Sequence, residues 1–390
     1  MNPQRRRTLS AGAAALSGFL PIPGVVMNRN AQATLATPPF RLLVLLELRG
    51  GNDALNTVVP VDDGRYVDAR PRLALRDDAI VRFDSNLALH AALAPLQALW
   101  QAGEMAVVEG VGYAQPNLSH FRSIEIWDTA ADSAQFLQEG WLARAARDAS
   151  FARFGADGVV IGAADLGPLG GGARAIALAD PERFARQARL AQAGGVSARG
   201  ALAHVLRVES DIVRAGVELR PDVRFTTAFP RGALGFAIEH AAAIASTRRV
   251  PVIRVTLSGF DTHQNQLNVH AQLLRQVAEG TVALRSALME IGLWQNALVL
   301  TYSEFGRRPR ENASGGTDHG TAGVSFAFGP RVARGRYGEP PNFTRLDASG
   351  NLAHAVDFRS LYATVLERWW DIDSASVLGR KFVTLPFVRS

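Results

Sequence analysis

The chain has 390 residues, 47% of them hydrophobic and 20% charged, and a formal net charge of +6 at pH 7. That is enough apolar material to bury a large core, and it excludes an intrinsically disordered chain. Cysteine is absent from the sequence, which excludes disulfide staples, zinc ribbons, iron–sulfur clusters and thiol nucleophiles and leaves any metal to Asp, Glu and His.

The first 33 residues, "MNPQRRRTLSAGAAALSGFLPIPGVVMNRNAQA", open with Arg5, Arg6 and Arg7 and close on the small-residue triplet Ala31-Gln32-Ala33. This is the pattern of a cleaved signal peptide. Its apolar part, Leu9 to Val26, is too diluted with Gly, Ser and Pro to form a stable membrane span. The arginines followed by "TLSAG" resemble a twin-arginine (Tat) signal, which hands folded proteins to the Tat export machinery; an ordinary Sec signal is the alternative. The expectation is a periplasmic or secreted protein whose single domain covers residues 34–390. Without Arg5, Arg6, Arg7 and Arg29 the formal charge falls by four, and no basic footprint for nucleic acid remains.

Downstream, "FRLLVLLELRGGND" is a strand-length apolar run that ends in Gly50, Gly51, Asn52 and Asp53. The leucines Leu89, Leu93, Leu96 and Leu99 then recur at helical spacing until Gly103. "EMAVVEGVGYAQPNLSHF" supplies the next strand, with Asn117, Ser119 and His120 at its polar end. From about residue 130 to 246 the pattern reads as helices interrupted by "DGVVIGAA" and "ARAIALA", an insertion or cap. Its glycines at 167–172 lack the following Lys-Ser/Thr of a phosphate loop. "PVIRVTLSGFDTHQNQLNVH" is a strand ending in Asp261 and His263, with His270 further on. A helix leads to "NALVLTYSEFGR", a strand ending at Glu304. "GGTDHGTAGVSFAFGP" places Asp318 and His319 in a Gly-rich loop before one more strand. Strands alternating with helices predict an α/β doubly wound sheet covered on both faces. Ligands of such sheets bind beyond the carboxyl ends of the strands, where these polar residues fall.

The succession "LRGGNDALNTVVP", "PNLSHFRS", "GFDTHQNQ", "YSEFGR" and "GGTDHG" behind a Tat-like leader resembles a widespread uncharacterised family of Tat-exported bacterial proteins, a domain of unknown function in the alkaline phosphatase and sulfatase superfamily. The resemblance implies an alkaline-phosphatase-like fold, a mixed and mostly parallel sheet sandwiched between helices. It also implies one or two divalent ions at the strand ends, and hydrolysis of a small anionic phosphate or sulfate ester. Asp53 stands where the superfamily has a metal-binding aspartate, and Ser119 stands near its nucleophile. Asp261 and His263 resemble one metal site, with His270 the alternative to His263. Glu304 stands where many members have Asp-His, and Phe305 fills the histidine's place. His319, beside Asp318, looks like the last metal histidine.

Plainer readings stand beside these. Asp53 and Ser119 could be helix caps, and His90 and His120 could satisfy local hydrogen bonds. His204, His240 and His354 fall in helical surroundings. Arg307 could pair with Glu311 or clamp an anionic substrate. Carboxylate with imidazole suits zinc or manganese better than calcium. The lost Asp-His pairing at Glu304 and Phe305 favours the alternative of a catalytically inactive periplasmic binding or assembly protein on the same fold.

Overall fold

In the computed structural model, which describes residues 40–179 and 223–389, the run after Phe40 is β1 (Leu42–Arg49). Its side chains alternate between two cores: Leu42, Val44, Leu46 and Leu48 enter one, Leu43 and Leu45 the other. A strand buried on both faces has no solvated side, so its sequence cannot alternate with polar residues. Each fully buried Leu or Val here is worth roughly 1.5–3 kcal/mol of transfer free energy.

A short helix, α1 (Gly64–Ala69), and an antiparallel pair, β2 (Ile80–Arg82) with β3 (Ala88–His90), follow. The expected helix over the leucine repeat forms in part. Leu89 lies in β3, residues Ala91–Leu96 make 3-10 turns around Pro95, and only Gln97–Gln101 is α-helical, as α2. Proline lacks the N–H that a continuous helix would need there. Next come β4 (Met105–Gly112), α3 (His120–Thr129), α4 (Trp141–Ala145), β5 (Gly158–Ile161) and β6 (Ala175–Leu178). The described chain resumes with α5 (Ala233–Ser246), β7 (Val252–Ser258), α6 (Gln266–Glu290), β8 (Ala297–Tyr302) and β9 (Gly323–Phe328). It ends with β10 (Gly335–Gly338), β11 (Val356–Asp357) and α7 (Phe358–Thr364) among its last elements.

Among the described residues, nine strands form the main sheet in the order β10-β4-β9-β8-β1-β7-β5-β6, with β11 paired to β4. Every pairing is parallel except those of β9, which runs antiparallel to β4 and β8. The expected mixed, mostly parallel sheet between helices is what the chain forms. One face packs on α5, α6 and the 91–101 segment. The other packs on α3, α4 and α7, where Trp141 stacks on Tyr362 and Trp127 on Phe358 at centroid distances of 4.3 and 4.4 Å.

The described parts of the stretch from 130 to 246, residues 130–179 and 223–246, depart from the expected cap, and the rest of it lies outside the described residues. "DGVVIGAA" and "ARAIALA" become β5 and β6 of the main sheet, and α5 covers it. Strands of four residues are too short to stand out from helical surroundings in a sequence. The proposed leader at 1–33 and His204 lie outside the described residues. Among the described residues, no helix is long and apolar enough to cross a membrane.

Topology places the site. The carboxyl ends of β1, β4, β7 and β8 share one edge of the sheet, and the loop preceding β9 reaches that edge because β9 runs the opposite way.

Candidate metal centre

His120, Asp261 and His319 each bring one ligand atom to within 4.8 Å of the others. Asp261 follows β7, His319 precedes β9, and His120 is the first residue of α3 beyond β4. His120 Nε2 is 3.3 Å from Asp261 Oδ2 and His319 Nε2 is 3.1 Å from Asp261 Oδ1. His263 joins them, its Nε2 lying 3.0 Å from Asp261 Oδ1 and 3.1 Å from His319 Nε2. Asp261 and His263 keep 44% of their side-chain surface exposed and His120 keeps 29%, so a small molecule can reach them.

The other nitrogen of each ring decides what these atoms can do. His319 Nδ1 is 2.8 Å from the Leu118 carbonyl and His120 Nδ1 is 2.8 Å from Glu304 Oε1. Both partners only accept, so the Nδ1 atoms carry the protons and the two Nε2 atoms present lone pairs to Asp261. His263 Nδ1 likewise faces Asp318 Oδ1 at 3.2 Å, which turns a third lone pair inward. His120 Nε2 is buried and makes no hydrogen bond among the described residues. Acceptors at about 3 Å with no proton between them repel one another. A divalent cation, or an added proton, relieves that, and the carboxylate–imidazole set fits zinc or manganese.

Electrostatics keep the carboxylate ionised. Burial opposes the charge on Asp261, but the hydrogen bond from the Arg307 guanidinium, with its positive charge, holds the pKa down at about 2. The hydrogen bond with Glu304 raises the His120 imidazole above its usual range, whereas burial lowers His319.

Glu304 does not face the cluster as a ligand, contrary to expectation. It is 2% exposed and accepts from Gly50 N at 2.9 Å and Gly51 N at 3.2 Å as well as meeting His120. The glycine pair permits this. Gly50 and Gly51 have φ of +121° and +81°, and a Cβ would lie 2.3 Å from Asp261 N at the first and 2.4 Å from the Phe305 ring at the second. Phe305, in place of a histidine, packs its ring against His120 and His319 at centroid distances of 4.9 and 4.6 Å.

Three further assignments change. Asp53 is fully buried and bonded to Arg70, by Oδ2 at 2.5 Å and Oδ1 at 3.0 Å, and to Gln266. It also caps the 3-10 turn Ala54–Asn56, so its cap reading stands and its ligand reading does not. Arg307 is no substrate clamp: it is 2% exposed and donates to the carbonyls of Gly50, Gly51, Phe260 and Thr317 and to Asp261 Oδ1, the last at 2.6 Å. Of its five N–H groups, those of Nε and Nη2 are taken by Gly51, Gly50, Phe260 and Asp261, and Nη1 is buried against Thr317. Asp318 holds His263 and accepts from Asn312 rather than facing the other ligands.

Of His263 and His270, His263 is the one that lies beside the cluster. His270 is 1% exposed, bonds Asn52 at 2.9 Å, and is pushed down to about 3 by burial. Ser119 occupies the N-cap position of α3, is exposed, and makes no side-chain capping bond. His120 is the residue that sequence reasoning set aside. Its signal was its place beside Ser119 at a strand-to-helix junction, but its partner Glu304 lies 184 positions away.

Several solved structures are similar to this chain. A phosphonate monoester hydrolase from Silicibacter pomeroyi is 10% identical at a TM-score of 0.40, over 89% of this chain and 76% of that one. A protein in the alkaline phosphatase superfamily from Vibrio parahaemolyticus is 10% identical at 0.39, over 90% and 69%. An alkaline phosphatase from the Antarctic bacterium TAB5 is 12% identical at 0.33, over 77% and 95%. Likenesses of this strength say nothing of activity. No curated protein matches the sequence. The family described as "Protein of unknown function (DUF1501)" matches residues 106–382, well over half of the chain, and the chain belongs to that family.

Proposed function

We propose that this protein is a metal-dependent hydrolase of small phosphate or sulfate esters, exported through the Tat machinery to the periplasm or beyond. The observation that carries the reading is the convergence of His120, Asp261 and His319, lone pairs inward, at a solvent-reachable strand edge. Zinc or manganese held there would lower the pKa of an attacking hydroxyl and neutralise charge on the non-bridging oxygens of the ester. The chain's own residues prepare that chemistry. Glu304 and the Leu118 carbonyl fix the two imidazoles, and Arg307 keeps Asp261 ionised. Ser119 Oγ, one residue from His120 and not engaged in capping, is available as the attacking hydroxyl, and the first-turn N–H groups of α3 favour an incoming anion.

The test uses purified mature protein loaded with zinc or manganese and assayed on p-nitrophenyl phosphate and p-nitrophenyl sulfate. Turnover should depend on the ion, and Ser119→Ala should lower it by orders of magnitude. One observation favours a second reading, binding without turnover: Arg307 is buried and turned to backbone carbonyls and Asp261, so its guanidinium is not presented to a substrate. A folded protein that hydrolyses neither ester, with or without an ion, would establish that reading, and one that takes up no ion would defeat the metal-dependent one. For export, replacing Arg5, Arg6 and Arg7 by Lys should trap the precursor in the cytoplasm; normal periplasmic appearance would point to Sec.

A further inference from the structure

We infer that this centre is built for one divalent ion, because the chain has committed to its own N–H groups and guanidinium cations the two carboxylates that could hold a second. The inference rests on the metal-dependent reading above and deepens it. A second ion beside the first would need at least two more anionic donors with free lone pairs. Asp53 and Glu304, each just past the carboxyl end of a central strand, are the carboxylates placed to supply them.

Neither is free to turn to an ion. A carboxylate offers about four acceptor sites. Asp53 Oδ1 receives Arg70 Nη2 at 3.0 Å and Leu55 N at 3.2 Å, and Oδ2 receives Arg70 Nη1 at 2.5 Å and Gln266 Nε2. Both Asp53 and Arg70 side chains are 0% exposed. On Glu304, Oε1 meets Gly50 N at 2.9 Å and His120 Nδ1 at 2.8 Å, while Oε2 meets Gly50 N at 3.1 Å and Gly51 N at 3.2 Å.

Charge leads to the same conclusion. Arg70 and Arg307 are fully buried guanidinium groups, one on Asp53 and one on Asp261. Arg70 supplies at Asp53 the positive charge that a second ion would bring, and it would repel that ion at short range in a poorly screened interior. Arg307 is thus a positioning residue: it bonds the same Asp261 oxygen that His263 and His319 approach, leaving Oδ2 to the His120 side. His263 does not found a second site, since its Nε2 lies among the atoms of the first.

The experiment is a count. Metal-free mature protein is titrated with Zn2+ alone and with Mn2+ alone, bound ion is measured by elemental analysis after desalting, and crystals soaked in either ion are examined by anomalous scattering. The expected result is one equivalent per chain and one peak, between His120, Asp261 and His319. Two equivalents with a peak at Asp53 would overturn the inference and leave the metal-dependent reading intact. No bound ion would overturn that reading and the inference with it. Asp53→Asn, checked for folding by circular dichroism, should change ion affinity by no more than about twofold. A loss of tenfold or more in folded Asp53→Asn protein would place Asp53 in the coordination shell and overturn the inference. The crystallographic count needs no variant, so it stands whether or not Asp53→Asn folds.

Discussion

Asp53 and Asp261 follow neighbouring strands, β1 and β7, that pair residue for residue from Leu43 to Arg49, yet their surroundings are opposite. Asp53 is sealed, with a guanidinium, an amide and a backbone N–H filling its oxygens. Asp261 is open, 44% exposed, and crowded by three imidazole nitrogens that are themselves acceptors. A site with all its partners supplied has finished its chemistry in folding. A site with surplus lone pairs at the solvent edge has capacity left for a ligand.

The largest effect should come from breaking the sealed side. Arg70→Met leaves Asp53 ionised, buried and without a cation, and removal of one partner from a buried pair costs about 3–5 kcal/mol. Urea unfolding of the metal-free protein should show that loss, and adding Asp53→Asn to Arg70→Met should recover much of it. A cost under about 1 kcal/mol would mean that the pair is not sealed.

A third carboxylate sharpens the contrast, because it is sealed without being satisfied. Asp128 on α3 is buried and its Oδ1 has no hydrogen-bond partner among the described residues. Burial pushes its pKa from 3.8 up to about 8; Arg254 opposes this and Glu47 and Asp165 add to it. The folded state therefore keeps a proton that the unfolded chain releases near pH 4. Below pH about 4 the group has no effect on stability; as pH rises from about 4 towards 8 the folded state loses stability progressively. Asp128→Asn, neutral at every pH, should flatten that slope and gain several kcal/mol by pH 8. Parallel slopes for the two proteins would show that Asp128 is ionised and paired.

Breaking the open side should spare the fold. Asp261→Asn removes the one anionic donor common to the imidazoles and should weaken zinc or manganese binding by about 100-fold or more, roughly 2.7 kcal/mol. Its metal-free melting temperature should move little, since the carboxylate is half exposed. The reverse outcome, unchanged ion affinity with early melting, would move the binding site elsewhere.

What the sequence made legible follows from the same contrast. The apolar runs of β1, β7 and β8 announced strands buried on both faces, and their polar ends announced the edge where ligands gather. Asp53 and Asp261 were indistinguishable there, since each is an aspartate just past an apolar run. Arg70, which separates them, stands 17 residues after Asp53 and 191 before Asp261, in a segment without periodic signal. Arg307 attracted attention for the right position and the wrong reason, because a sequence does not show which carbonyls will surround a guanidinium. His120 was passed over because a histidine's role depends on what its far nitrogen meets, and Glu304 meets it only through the β4 and β8 ends of the folded sheet. The four-residue strands β5 and β6 carried too few residues to be told from helix.

The smallest effect concerns Ser119, where two roles predict different numbers. An N-cap serine whose hydroxyl bonds the first turn loses about 1 kcal/mol on substitution by alanine. Ser119 occupies the position without making the bond, and its own N–H is held by Asn117 Oδ1 at 2.9 Å. An exposed hydroxyl with no structural partner costs little to remove, so Ser119→Ala should change unfolding free energy by less than about 0.5 kcal/mol. Chemical denaturation at constant pH resolves a change of that size from a full cap. A loss near 1 kcal/mol would mean that the hydroxyl turns inward to cap α3 in solution and is not held ready for an ester. With stability unchanged, any fall in turnover of Ser119→Ala belongs to chemistry at the rim and not to the helix that carries it.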